Sequence, residues 1–136
     1  MDASRILQPV LAMVFLHAAV WIWMTVTRGR AMSRAGIPLQ DGKHTSDLRS
    51  LPDPARQVAE NYNHLFELPT LFYALVFYIW AMGHADPLHV YCAWGFFGSR
   101  VVHSIVQGTI NIVAVRFPIF ALGWVLILIM AIRELV

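Results

Sequence analysis

Two sets of polar residues are spaced to do chemistry in this chain. Arg56, Glu60, Asn63 and Glu67 follow one another at intervals of four, three and four, which puts them on one helix face. Arg100, His103, Ser104, Gln107 and Asn111 recur at the same kind of spacing and form a second stripe. Two such stripes brought together make either of two things. One is a structural ion pair, Glu67 with Arg100, that pins helix register with Asn63 and Gln107 as interhelical hydrogen-bond glue. The other is the wall of a polar cleft for an anionic or amphiphilic ligand, with Arg56, Arg100 and Arg116 at its mouth and Arg28 and Arg30 as further candidates there. Both stripes lie inside apolar runs, and ionisable groups in such runs are costly enough to need a reason.

The elements that must carry these stripes are membrane helices. Of 136 residues, 58% are hydrophobic and 13% charged, which excludes an ordinary soluble domain of this size. Ile6 to Thr27 is a run of about 22 uncharged residues, enough to cross ~30 Å of hydrocarbon at ~1.5 Å per residue. Trp21 and Trp23 near its end suit an interfacial aromatic belt, and His17 sits in mid-span. Residues 28–53 form a polar connection with Gly29, Gly36, Pro38, Gly42 and Pro52. Asp53-Pro54 has the form of a helix start, and the second helix is expected over 54–83 with a kink at Pro69, which cannot donate to the Leu65 carbonyl. His84-Ala85-Asp86-Pro87 is a tight turn that restarts the chain, so a third helix is expected over about 88–112 and a fourth, after Arg116-Phe117-Pro118, over about 118–134. The expectation is an all-α, integral membrane four-helix bundle of up-down-up-down topology in a single domain. Counting outward from the turn near Ala85 sets Glu67 level with His103 and Asn63 with Gln107.

Charge is unevenly placed. Six of the ten basic residues lie between Arg28 and Arg56, mixed with Asp41, Asp47, Asp53 and Glu60, so the segment is no polybasic arm and nucleic acid is not an expected partner. By the positive-inside rule the 28–53 loop is cytoplasmic and both termini lie on the opposite side. Cys92 is the only cysteine, which excludes an internal disulfide and a thiolate metal cluster. The spacing of His84, Asp86 and His89 matches no metal motif and reads as a capped turn, so no metal is expected.

Together these residues resemble a known family. A basic loop after the first of four helices, Asn63-His64-Leu65-Phe66-Glu67-Leu68-Pro69 on the second, Arg100-Val101-Val102-His103 on the third and Arg116 before the fourth look like the MAPEG superfamily, the membrane-associated proteins in eicosanoid and glutathione metabolism. The resemblance covers nearly the whole chain. It implies a homotrimer among membrane lipids, with glutathione as co-substrate bound between subunits near the cytosolic side, and a transferase or peroxidase acting on lipophilic electrophiles. It further implies that Asn63, Glu67, Arg100, His103 and Gln107 lie along the glutathione wall, with Arg116 near the thiol as the catalytic cation. Gln107 stands where glutathione-using members commonly carry a Tyr, and Ala59 and Tyr62 stand where they have arginines. The alternative is a non-catalytic bundle in which the Glu67/Arg100 pair serves assembly or lipid binding.

Overall fold

The computed structural model describes residues 3–135, and within them the chain is helical with no strand. After a 3-10 turn, Ala3–Leu7, helix α1 runs Gln8–Ala35; α2 is Asp53–His64, α3 Leu68–Met82, α4 Pro87–Gly108 and α5 Val113–Arg133. Three stretches are long and apolar enough to cross a membrane, Ala3–Ala35, Asp53–Ala81 and Val113–Arg133. Helix α4, at 22 residues, has the length but carries Ser99, Arg100, His103, Ser104 and Gln107 buried on one face, which lowers its apolar content. Four helical rods make up the bundle, with α2 and α3 sharing one, and three of the four are the candidate spans.

Several boundaries differ from the sequence expectation, each for a local reason. Helix α1 does not stop near Thr27 but continues into the polar segment, because nothing there breaks it until Gly36 takes a left-handed φ of 65° and the Ile37 amide closes on the Met32 carbonyl at 3.0 Å. Two 3-10 turns, Leu39–Gly42 and Thr45–Ser50, fill the rest of the loop, and Leu48 and Leu51 pack with Met32 and Ala55 in a small core. Pro118 does not open the last helix. That helix begins at Val113, after Asn111 makes the turn with a positive φ of 47°, and Pro118 sits in its second turn.

The second span is broken rather than kinked. The amides of Phe66 and Glu67 bond three residues back, to Asn63 and His64 at 3.0 and 3.3 Å, so the chain tightens into one 3-10-like turn before α3 begins. Pro69 has no N–H for the Leu65 carbonyl. From α1, His17 Nε2 lies 3.0 Å from that oxygen, while its Nδ1 lies 2.7 Å from the Met13 carbonyl. A neutral imidazole has one N–H, so with the proton on Nε2 this mid-span histidine serves the carbonyl that Pro69 leaves without an amide, which in lipid has no water to turn to.

The core lies between these spans. Phe72 of α3 stacks on Phe96 of α4 with centroids 4.3 Å apart, and Ile6, Met13, Val76, Ile79, Ala93 and Met130 close around them with no exposed surface. Antiparallel register follows from the pairs that meet, Gln57 with Gly108 and Thr109, Asn61 with Ser104, and His64 with His103.

Candidate functional site

The two polar stripes do not pack face to face; they come together only at one end, where Arg56 and Glu60 share a cleft with Asn111. The face of α2 that packs on α4 carries Gln57, Asn61 and His64, one position round from the expected face. Gln57 Nε2 donates to the Gly108 and Thr109 carbonyls at 3.2 and 2.8 Å, and Asn61 Nδ2 to the Ser104 carbonyl at 3.4 Å. His64 stacks on His103, centroids 5.0 Å apart and planes 15° from parallel, in the place opposite His103 where counting from the turn puts Glu67. The spacing of Gln57, Asn61 and His64, four and three, is as regular as that of the stripe read from the sequence. Ala55, Val58 and Ala59 are buried on α2 together with Asn61, and Ala55 packs with Met32, Leu48 and Leu51.

Glu67 does not pair with Arg100. Its carboxylate is 64% exposed and lies 3.4 Å from His64 Nε2, because the break after His64 turns the Phe66–Glu67 segment outward. Arg100 is 1% exposed and points to α5 instead. Its Nη2 donates to the Ile119 and Phe120 carbonyls at 3.2 and 3.5 Å, Nε lies 3.4 Å from Ser99 Oγ, and the guanidinium faces the Phe96 and Phe120 rings at 5.4 and 5.3 Å. A Cβ at residue 123 would come within 2.7 Å of Nη2, so Gly123 is what lets the guanidinium reach the α5 backbone. No carboxylate lies within ion-pair distance of Arg100 among the described residues.

The remaining predicted residues divide into an inner and an outer group. His103 and Gln107 are buried with Arg100 inside the subunit, 3% exposed each, and Ser104 Oγ, Gln107 Oε1 and Asn61 Oδ1 beside them lack hydrogen-bond partners. Arg56, Glu60, Asn63 and Glu67 form the outer group along α2 and the turn after it. Asn63 and Glu60 line a small cleft of about 120 Å³ together with Arg28 of α1, Arg49 of the loop and Arg56. An adjoining cleft of about 380 Å³ runs from Arg56 and Glu60 to Gln57 and Asn111. Arg116, in the first turn of α5, donates from Nη1 to Asn111 Oδ1 at 2.7 Å and is half-buried. Arg28, expected at the mouth, lines this cleft, whereas Arg30 lines a different one. Arg49 joins the site because the loop folds back, and no period in the sequence marks it.

Chemically, the smaller cleft offers the guanidinium groups of Arg28, Arg49 and Arg56 and the carboxylate of Glu60, which suits a ligand bearing carboxylates and an ammonium. The depth is informative. Glu67 precedes the 15 residues of α3, so it lies ~22 Å from the far end of that helix and within ~30 Å of hydrocarbon. Such a group is not left facing lipid.

Comparison with curated proteins and with solved structures finds no match. A family model described as the MAPEG family matches residues 6–136, essentially the whole chain, in accord with the helical membrane bundle. The chain belongs to the MAPEG family.

Proposed function

We propose that this integral membrane protein is a glutathione-dependent transferase or peroxidase acting on lipophilic electrophiles, and that it works as a homotrimer with glutathione held between subunits. The observation that carries the reading is the outward face of α2. Asn63 and Glu67 are exposed on a spanning segment, beside a cleft with Arg28, Arg49 and Arg56. Lipid does not tolerate that face, whereas a second copy of the chain with a charged tripeptide in the seam satisfies it.

In this arrangement Asn63, Glu67 and Arg116 form the outer wall, the carboxylate of Glu67 facing the ligand's ammonium. Arg100, His103 and Gln107 lie directly behind and hold α2, α4 and α5 in place. Arg116 supplies a fixed positive charge near the thiol, whose ordinary pKa of about 8.5 falls beside a cation, so that more thiolate is present at neutral pH. The thiolate then attacks an electrophilic carbon arriving from the bilayer, forming a carbon–sulfur bond as the bond to the leaving group breaks; with a hydroperoxide it cleaves the O–O bond, releasing the alcohol and leaving a sulfenic acid that a second glutathione converts to the disulfide and water. The basic loop, and with it the glutathione side, faces the cytoplasm.

The test is glutathione binding to the detergent-purified protein, followed by calorimetry, with subunit number read by native mass spectrometry. Binding in the millimolar range or tighter to a trimer, lost in Arg116→Ala and weakened in Asn63→Ala while assembly persists, is the expected result. A folded protein with no binding at millimolar glutathione ends the proposal.

A further inference from the structure

A second cleft lies at the opposite end of the bundle, between the α3–α4 turn and the end of α5. It measures about 810 Å³, and its polar lining is His84, Asp86, His89, Arg133 and Glu134. His89 is 1% exposed and the Glu134 side chain 7%, so both are nearly withdrawn from solvent.

The contacts there are out of balance. Asp86 Oδ1 lies 3.1 Å from His89 Nδ1, and Glu134 Oε1 lies 3.6 Å from His89 Nε2, yet neither ring nitrogen has a hydrogen-bond partner. The other Glu134 oxygen is 2.8 Å from His84 Nδ1. A neutral imidazole has one N–H and one lone pair. With a carboxylate oxygen facing each nitrogen, either tautomer sets a lone pair against a carboxylate. Asp86 and Glu134 also outweigh Arg133 by one negative charge. The gap calls for a positive charge that donates hydrogen bonds: a doubly protonated His89 supplies it from within, and a bound primary ammonium, with three N–H bonds on one charge, is the smallest group that supplies it from outside.

The surroundings say what the ammonium is attached to. Arg133 holds Asp86 through Nε, at 2.6 Å, and Nη2, which leaves Nη1 for an anion. Leu88, Ile129 and Ile132, all exposed, form an apolar rim where the α5 span ends. Ammonium, then phosphate, then acyl chain is the order these groups would meet.

We propose that this cleft binds a phospholipid with a primary ammonium headgroup, from the leaflet opposite the basic loop. The ammonium sits between Glu134 and His89 and the phosphate at Arg133, with acyl chain along Ile129 and Ile132. The proposal is independent of glutathione binding.

Native mass spectrometry of the full chain in detergent, offered equal amounts of phosphatidylethanolamine, its N-methyl and N,N-dimethyl forms, phosphatidylcholine and phosphatidylglycerol, tests it. The expected result is one phosphatidylethanolamine retained per chain, about tenfold over phosphatidylcholine, with retention falling stepwise as N–H bonds are replaced by methyl groups. Glu134→Gln is expected to bring that ratio near one. The methylation series needs no variant, so it decides the matter even if Glu134→Gln does not fold. Equal retention of phosphatidylcholine or phosphatidylglycerol, an unchanged preference in folded Glu134→Gln, or no lipid retained overturns the proposal. Soluble phosphoethanolamine binding as tightly as the lipid would show a small-molecule site and overturn it too.

Discussion

Replacing His17 by Phe should destabilise the protein by about 1–3 kcal/mol, the cost of leaving a buried carbonyl without a donor, and Pro69→Ala should remove most of that cost. Phe keeps a ring where His17 meets Phe66 edge-on at 5.0 Å, and the neighbouring apolar groove of about 360 Å³, lined by Val10, Val14, Tyr73 and Phe77, has room for the larger ring. What changes is the donor. His17 Nε2 lies 3.0 Å from the Leu65 carbonyl, and Pro69 has no N–H to offer that oxygen. The Pro69→Ala substitution supplies one and lets α2 run into α3, so in that background His17→Phe should cost less than about 0.5 kcal/mol. The measurement is a double-mutant cycle from unfolding in detergent–SDS mixed micelles, followed by fluorescence of the five tryptophans. A coupling of about 1–3 kcal/mol is expected. If His17→Phe costs the same in the wild-type and the Pro69→Ala backgrounds, the histidine does not serve the Leu65 carbonyl and the account of the break is wrong.

Glu67→Gln should change the stability of the subunit by less than about 1 kcal/mol, since the carboxylate is exposed and pairs only with His64; a loss of about 3–5 kcal/mol, typical of breaking a buried ion pair, would show that Glu67 and Arg100 interact after all. The Asp86 carboxyl has a pH signature. Partial burial works to raise its pKa, but the His89 amide and the Arg133 guanidinium together hold it below the usual carboxylate value. A depressed folded-state pKa stabilises the fold above the unfolded value of about 3.9, and that contribution is lost as pH falls through the folded value. Unfolding of the wild type should therefore lose stability below pH ~4 relative to Asp86→Asn, and parallel curves for the two proteins at every pH would refute the assignment.

Much of the fold was legible along the chain because membrane helices announce themselves locally. Length of apolar run, Asp-Pro starts at 53–54 and 86–87, and the basic loop depend on neighbours in sequence. Asp86 does cap α4, accepting from the His89 amide at 2.9 Å. The polar character of α4 was also readable, and most of its stripe, from Arg100 to Gln107, is buried as a unit. The helix ends were less so. Gly36 and Asn111 terminate or start helices through left-handed backbone, while Pro118, the more conspicuous signal, is accommodated within a helix.

The sequence by itself determined which helices of this membrane bundle carry charged and polar groups, and at what spacing. Only the tertiary structure decided which of them face one another. Spacing defines a helix face but not its direction, and Gln57, Asn61 and His64 form as good a stripe as Arg56, Glu60, Asn63 and Glu67. The buried side of α2 is the one that carries Ala55, Val58, Ala59 and Asn61. Likewise Arg100 could be read as a cation in need of a carboxylate. That it reaches backbone carbonyls on α5 depends on Gly123, far along the chain, where a missing Cβ leaves the space. Contacts of that kind are set by shape between helices, which no periodicity within one helix records.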